Sequence, residues 1–68
     1  MNKSYVILCM YEDLIGGKTL RIKDCQTEYS VSVPTFRRYI ALLREYFAER
    51  RAVDIVYDKE AGGYRTES

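Results

Sequence analysis

Apolar residues recur at helical spacing through most of the first fifty positions of the chain and alternate with polar residues at residues 18–22 and again near its end. The first repeat predicts a helix from Ser4 to Ile15, with Ser4 as its N-cap and the pair Gly16-Gly17 as its stop signal. Three residues spaced four apart form the apolar stripe of this helix: Val6, Met10 and Leu14.

The next segment is more polar and predicts two short elements. Residues 18–22 alternate between polar and apolar side chains, which favours a very short strand. Residues 23–29 predict a helix of about two turns, because Cys25 and Tyr29 lie four residues apart and share one face. Residues 30–32 then connect tightly to a third helix, an arrangement typical of a helix-turn-helix.

The third predicted helix covers residues 33–50 and has the clearest start signal in the chain. The Ser32 hydroxyl can accept a hydrogen bond from a free amide of the first turn, and Pro34 stands where a missing N–H costs nothing. Four residues form its apolar stripe: Phe36, Ile40, Leu43 and Phe47. At about 100° per residue, Arg37 and Arg38 fall away from that stripe.

The end of the chain has the pattern of a β-hairpin. Residues 53–57 predict a strand, residues 58–63 a turn and residues 64–67 a returning strand, with Gly62 and Gly63 expected at positive φ. A hairpin directly after a basic helix forms a wing. The sequence therefore predicts an α+β, mainly α fold over residues 1–68. We expect a winged helix-turn-helix with three helices, a short strand after the first helix and a two-stranded wing.

The distribution of charge is more informative than its sum. The chain has 11 basic and 10 acidic side chains and a formal net charge of +1, which by itself argues weakly against nucleic-acid binding. Residues 36–51, however, contain five arginines and two glutamates, a local charge of +3. Positive charge is therefore concentrated on the third helix, where a protein that reads DNA needs it.

Composition excludes several function classes. Two cysteines and no histidine make neither a disulfide framework nor a zinc site, so Cys9 and Cys25 are expected to act as small hydrophobes in a reducing cytoplasm. No serine or cysteine stands beside a plausible base, and no apolar run is long enough to cross a membrane. The sequence thus predicts no enzyme, no metal site, no cofactor and no membrane partner.

Two blocks of residues have the spacing of a known bacterial domain: Val31-Ser32-x-x-Thr35-x-x-Arg38-x-Ile40-x-x-Leu43, and Ile55-x-Tyr57-Asp58 followed by Gly62-Gly63-Tyr64-Arg65. In this order they resemble the N-terminal winged helix-turn-helix of DeoR-type transcription regulators, above all those with a C-terminal WYL domain. The resemblance covers essentially the whole chain. The chain departs from the pattern at Tyr39, where the family usually has an acidic residue, and at Cys25-Gln26, where it usually has Leu-Ala.

The resemblance implies sequence-specific binding of double-stranded DNA and control of transcription in a bacterial cytoplasm. It also implies that any effector acts through a C-terminal region absent from this chain. The chain is then expected to be either an excised domain or a free-standing short member.

The residues expected to contact DNA are Ser32, Val33, Pro34, Thr35, Arg37, Arg38, Lys23, Lys59 and Arg65. The short side chains of Val33 and Pro34 allow close approach to thymine methyl groups, while the Thr35 hydroxyl either reaches DNA or only caps the helix. An arginine can donate two hydrogen bonds to one guanine or bind a phosphate. We expect Arg37 to read a base, and the resemblance implies that Arg38 anchors a phosphate.

The remaining three residues are expected along the DNA backbone, Lys23 from the second helix and Lys59 and Arg65 from the wing. Contacts of this kind steepen the salt dependence of binding rather than set the sequence that is bound. Asp58 and Glu60 weaken the attraction of the wing for DNA.

Three other expectations stay open at this point. The low net charge and the acidic wing also fit a winged helix that contacts another protein and binds no DNA, and a similar domain can head a bifunctional enzyme such as a biotin-ligase repressor. A second apolar face on the first helix, around Leu8, Tyr11 and Ile15, suggests a homodimer contact or a contact with further sequence.

Overall fold

Three helices and a two-stranded antiparallel sheet follow one another in the computed structural model, which describes residues 2–68. The elements are α1 (Lys3–Ile15), α2 (Ile22–Tyr29), α3 (Val33–Arg51), β1 (Asp54–Asp58) and β2 (Gly63–Glu67). The predicted α+β, mainly helical class is therefore confirmed, and so is the C-terminal hairpin. The order of elements is consistent with a winged helix.

The start of α1 differs from the prediction. Its N-cap is Asn2, whose side-chain Oδ1 accepts a hydrogen bond from the Ser4 amide at 2.7 Å. The prediction that Ser4 caps the helix is wrong, because Asn caps at least as well as Ser and stands two residues earlier. The predicted stop is confirmed, since the amide of Gly16 closes the last turn on Glu12 and Gly17 follows at φ +84°.

The end of α2 and the start of α3 lie close together in the sequence, and each is fixed by a cap. Ser30 takes the left-handed conformation, with φ at 56°, and ends α2 one residue after Tyr29. Two residues later, the Ser32 Oγ accepts the amide of Thr35 at 3.3 Å, and Pro34 lies in the first turn. The predicted start of α3 is thus confirmed, and three residues separate the two helices.

The strand predicted at residues 18–22 is reduced to one residue pair. Leu20 and Tyr64 exchange two backbone hydrogen bonds, of 2.7 and 2.8 Å, as an isolated antiparallel bridge. No longer strand forms because Ile22 already begins α2. This bridge joins the hairpin to the connection between α1 and α2.

The core is entirely apolar over the described residues. It consists of Val6, Met10, Leu14, Leu20, Cys25, Tyr29, Phe36, Ile40, Leu43, Phe47 and Ile55. All three predicted stripes are therefore buried. Burial of one such large side chain contributes about 1.5–3 kcal/mol, so a domain of this size depends on most of them.

Both cysteines are free thiols that pack as apolar groups, as predicted. Cys25 is buried, and this burial, reinforced by the nearby charge of Glu28, raises the pKa of its thiol to about 11. The thiol therefore stays protonated at neutral pH and is a poor nucleophile. Cys9 is half-buried beside the same core.

Asp58 organises the hairpin turn. Its Oδ1 accepts hydrogen bonds from the amides of Glu60 and Ala61, at 3.0 and 3.2 Å, and its Oδ2 accepts from Arg65 Nε at 3.0 Å. The hydrogen bond from Ala61 and the one from Arg65 lower the pKa of this carboxyl group below its ordinary value of 3.8. The ionised carboxylate is the form that holds the turn together.

The two glycines of the turn serve different purposes. Gly62 has φ at +73° and supplies the left-handed conformation, as predicted. Gly63 has no positive φ, so that part of the prediction is wrong. A Cβ atom on Gly63 would lie 2.5 Å from the carbonyl oxygen of Leu20, so glycine is needed there for close approach of two backbones.

Gly63→Ala is expected to destabilise the protein more than Gly62→Ala does. Alanine at position 62 meets open space and costs about 1 kcal/mol for its left-handed backbone, whereas alanine at position 63 collides with Leu20 and adds about 1–3 kcal/mol. Urea unfolding of both variants measures the difference. An equal loss of stability in the two would show that the Leu20–Tyr64 bridge tolerates a side chain.

Asp58→Asn is expected to remove part of the acid sensitivity of the fold. Because the folded pKa lies below 3.8, the interactions of Asp58 stabilise the native state above that pH and are lost as the pH falls through the lowered value. Melting curves by circular dichroism at descending pH should show wild type and variant differing most near neutrality and converging in acid. Glu60→Gln is the control, and a constant gap down to the lowest pH would contradict the prediction.

Candidate nucleic-acid interface

The arginines of α3 are free of carboxylates. Five arginines lie on this helix: Arg37, Arg38, Arg44, Arg50 and Arg51. None has a glutamate three or four positions away within α3, so the helix does not neutralise them along its own surface. None of them forms an ion pair with a carboxylate among residues 2–68 either.

The basic side chains that do pair with carboxylates lie on other elements. The pairs are Lys18 with Asp13 at 3.8 Å, Arg21 with Asp24 at 3.7 Å, and Arg65 with Asp58 at 3.0 Å and Glu67 at 3.5 Å. Pairing therefore offsets much of the charge outside α3. Although the net charge of the chain is only +1, α3 keeps a strongly positive surface.

Hydroxyl groups in the first turn of α3 orient Arg38. Ser32 Oγ donates a hydrogen bond to Thr35 Oγ1 at 2.9 Å, and the Arg38 guanidinium donates to the same Thr35 oxygen at 3.3 Å. Thr35 thus acts as an acceptor that restrains the arginine. Arg38 is exposed and forms no ion pair with a carboxylate among residues 2–68.

Arg37 is directed to a different side of the helix. It lines a recess of about 330 Å³ together with Phe36 on α3 and Tyr57 and Tyr64 on the hairpin. Val33 and Pro34, one turn earlier, are exposed. The structure therefore brings the predicted α3 residues together over two turns, with one arginine directed to the hairpin and the other to the helix connection.

The other predicted contact residues come from two further elements. Arg21, which precedes α2, donates from Nε to the Ala61 carbonyl at 2.7 Å, so the start of α2 lies beside the hairpin turn. Lys23 is two residues from Arg21, and Lys59 is two residues from Ala61. The two lysines are therefore at the same end of the molecule, and both are exposed. Arg65 differs from them, because Asp58 and Glu67 hold its guanidinium.

Two arginines have positions that composition and charge do not reveal. Arg21 ties the turn of the hairpin to α2, as described above, and Arg44 Nε donates to the Ile55 carbonyl at 3.2 Å and ties β1 to α3. A signal for Arg44 is present in the sequence, since Arg37, Ala41, Arg44 and Ala48 recur on one face of the helix. The bond to Ile55 depends on how the hairpin folds back, and no local pattern encodes it.

The opposite side of α3 carries an apolar groove against α1. Its lining consists of Ile7, Leu8, Tyr11, Leu42, Leu43 and Tyr46, and its volume is about 400 Å³. Leu8, Leu42 and Tyr46 remain 63%, 49% and 45% exposed. Helix geometry places Tyr46 about 180° around α3 from Arg37, so the groove and the hairpin-side arginine face different directions.

The second face predicted on α1 is present in part. Leu8 and Ile15 are exposed as expected, with Ile15 at 46%. Tyr11 instead packs edge-on against Tyr46 and Phe47, with ring centroids 5.8 and 5.4 Å apart, and its hydroxyl accepts a hydrogen bond from Arg51 at 2.8 Å. Tyr11 is thus half-buried and forms the floor of the groove.

No helix within residues 2–68 combines the length and the apolarity that a membrane crossing needs. In that same range, His, Cys, Asp and Glu residues do not gather in threes as a metal site would require. Comparisons of the chain with protein-family models, with curated proteins and with solved structures found no match.

Proposed function

We propose that this chain is a winged helix-turn-helix domain that binds double-stranded DNA, with α3 in the major groove and the β1–β2 hairpin along the sugar–phosphate backbone. The main support is the set of five arginines on α3 that have no carboxylate partner among the described residues. Among them, Arg37 and Arg38 lie in the first two turns, where a bound polyanion would supply the missing negative charge and its counterions would be released. The resemblance to DeoR-type regulators with a WYL domain supports the further proposal that the chain acts in bacterial transcription.

The first two turns of α3 supply the contacts that read sequence. Val33 and Pro34 are small enough to let the helix approach base edges, and Arg37 forks onto a guanine. Arg38 holds a phosphate, since Thr35 already restrains its guanidinium and lowers the entropy that binding would cost. Ala41, one turn further, leaves room for the DNA on the same side of the helix.

The backbone contacts come from the end of the molecule where α2 meets the hairpin turn. Lys23 and Lys59 lie there and provide phosphate contacts without sequence preference. Arg65 provides a weaker contact in this proposal, because its interaction with DNA competes with two carboxylates. The hairpin thus contributes less positive charge to the contact than α3 does.

The apolar groove favours a second role, self-association into a homodimer. Leu8, Leu42 and Tyr46 stay 63%, 49% and 45% exposed along the groove, and an exposed apolar patch of this kind can form the centre of a small dimer interface. A two-fold dimer through this surface leaves Arg37 free and matches the symmetry of a palindromic operator. Because association through the groove does not require DNA, the groove also supports the alternative, a domain that contacts another protein and binds no DNA.

Arg37→Ala and Arg38→Ala are each expected to weaken binding to a duplex selected from a random pool by about 1–3 kcal/mol in a gel-shift titration. Arg37→Ala should relax one position of the selected site, whereas Arg38→Ala should weaken all sequences and lower the slope of log K against log salt by about 1. Arg50→Ala, near the other end of the same helix, is the matched control. Unchanged affinity in both variants would refute the contact model.

The salt dependence of the binding affinity distinguishes DNA binding from protein contact in the wild type. Binding of the selected duplex should weaken steeply from 50 to 200 mM salt, by about a factor of ten or more for a few phosphate contacts. The absence of any duplex binding at low salt would leave the protein-contact alternative as the better description of the domain.

Leu8→Asp and Leu42→Asp are expected to make the chain monomeric in sedimentation velocity at concentrations where the wild type dimerises. A charge on either residue would have to lose its water in the interface, which costs several kcal/mol. Tyr57→Asp, an exposed position away from the groove, should leave the dimer intact. A wild type that stays monomeric at millimolar concentration would exclude self-association through this surface.

A further inference from the structure

The recess between α3 and the hairpin has a mixed character that suits one part of DNA. Its wall is formed by Phe36, Tyr57, Tyr64 and Ile22, and Arg37 lies at its edge. Tyr57 packs edge-on against Tyr64, with ring centroids 5.1 Å apart, yet 54% of Tyr57 stays exposed. The recess therefore offers a fixed aromatic surface directly beside an unpaired guanidinium.

We infer that this recess holds one deoxyribose of a bound duplex, beside the guanine that Arg37 reads. The inference rests on the proposed function and assigns Tyr57 as a DNA-contacting residue. A nucleotide joins a largely apolar sugar to a base whose edge accepts hydrogen bonds, and the recess places an aromatic surface next to a guanidinium that can donate them. Its volume of about 330 Å³ is sufficient for one sugar.

The charges of the hairpin favour Tyr57 over its basic residues for this contact. Arg65 is held by Asp58 and Glu67, and Glu60 lies in the turn. Tyr57, by contrast, makes no hydrogen bond through its hydroxyl within residues 2–68 and presents its ring to solvent. In addition to the phosphate contact of Lys59, the hairpin thus meets DNA through an apolar contact that depends little on salt.

The walls of the recess are held in place before any ligand arrives. The Leu20–Tyr64 bridge fixes β2, and the Arg44 hydrogen bond to Ile55 fixes β1 against α3. Arg21 fixes the turn through Ala61. Binding therefore requires little ordering of the hairpin, which lowers its entropic cost.

Hydroxyl-radical footprinting tests the inference, because this reagent cleaves DNA at exposed deoxyriboses. The wild type, Tyr57→Thr and Tyr57→Phe are compared on a duplex selected by the wild type, with Tyr5→Thr as the control, since Tyr5 on α1 is exposed to a similar degree, 56%. Threonine keeps the strand preference of position 57 but removes the ring.

In Tyr57→Thr we expect one sugar position of the footprint to lose its protection and the affinity to fall about tenfold, with the salt slope unchanged. Tyr57→Phe and Tyr5→Thr should retain both the protection and the affinity. In the wild type, the ring resonances of Tyr57 should shift on addition of the duplex while those of Tyr5 do not, a measurement that does not depend on the folding of any variant.

An unchanged footprint in Tyr57→Thr would refute the inference while leaving DNA binding by α3 intact. Loss of protection in Tyr57→Phe would refute it as well, because the hydroxyl group rather than the ring would then make the contact. If the wild type binds no duplex, both the proposed function and this inference are refuted.

Discussion

The fold depends on one close approach of two backbones, where Leu20 and Tyr64 exchange hydrogen bonds of 2.7 and 2.8 Å. The pair is possible because Gly63 lacks a Cβ atom. Through it, the hairpin is held against the connection between α1 and α2, and Tyr64 is brought over Phe36 with ring centroids 5.9 Å apart. Without this bridge, the recess beside Arg37 would lose one wall, and the hairpin would be held by the burial of Ile55 and by the hydrogen bonds of Thr66, Arg21 and Arg44.

A chain of 68 residues has little interior, and among residues 2–68 only apolar side chains are buried there. Every charged group must therefore be satisfied at the surface. In the connection between α1 and α2 and in the hairpin, several cations lie close to a carboxylate. On α3 they do not, so a single helix combines a buried stripe, an apolar groove and a strongly positive face. That combination is the observation on which the proposal of polyanion binding rests.

The arginines also show how one residue type divides into two functions. Arg21 and Arg44 donate to backbone carbonyls of the hairpin and serve mainly to position it. Arg65 stabilises the turn with Asp58, whereas Arg37 and Arg38 have no carboxylate and stay available to a ligand. Counting arginines in the sequence treats all of them alike. The role of each arginine depends on the carbonyl or carboxylate group that the fold places beside it.

The sequence by itself determined the three helices, the hairpin, the apolar stripes and the cap at Ser32, because helical period and capping depend on residues within four positions of one another. It also placed the free arginines of α3 correctly on its outer side. The bridge at Leu20, the need for Gly63 and the recess around Tyr57 were decided by the tertiary structure. The bridge joins groups about forty residues apart, as does the hydrogen bond of Arg21 to Ala61, and the recess joins Arg37 to Tyr57 about twenty residues away. No local periodicity specifies which distant groups will meet.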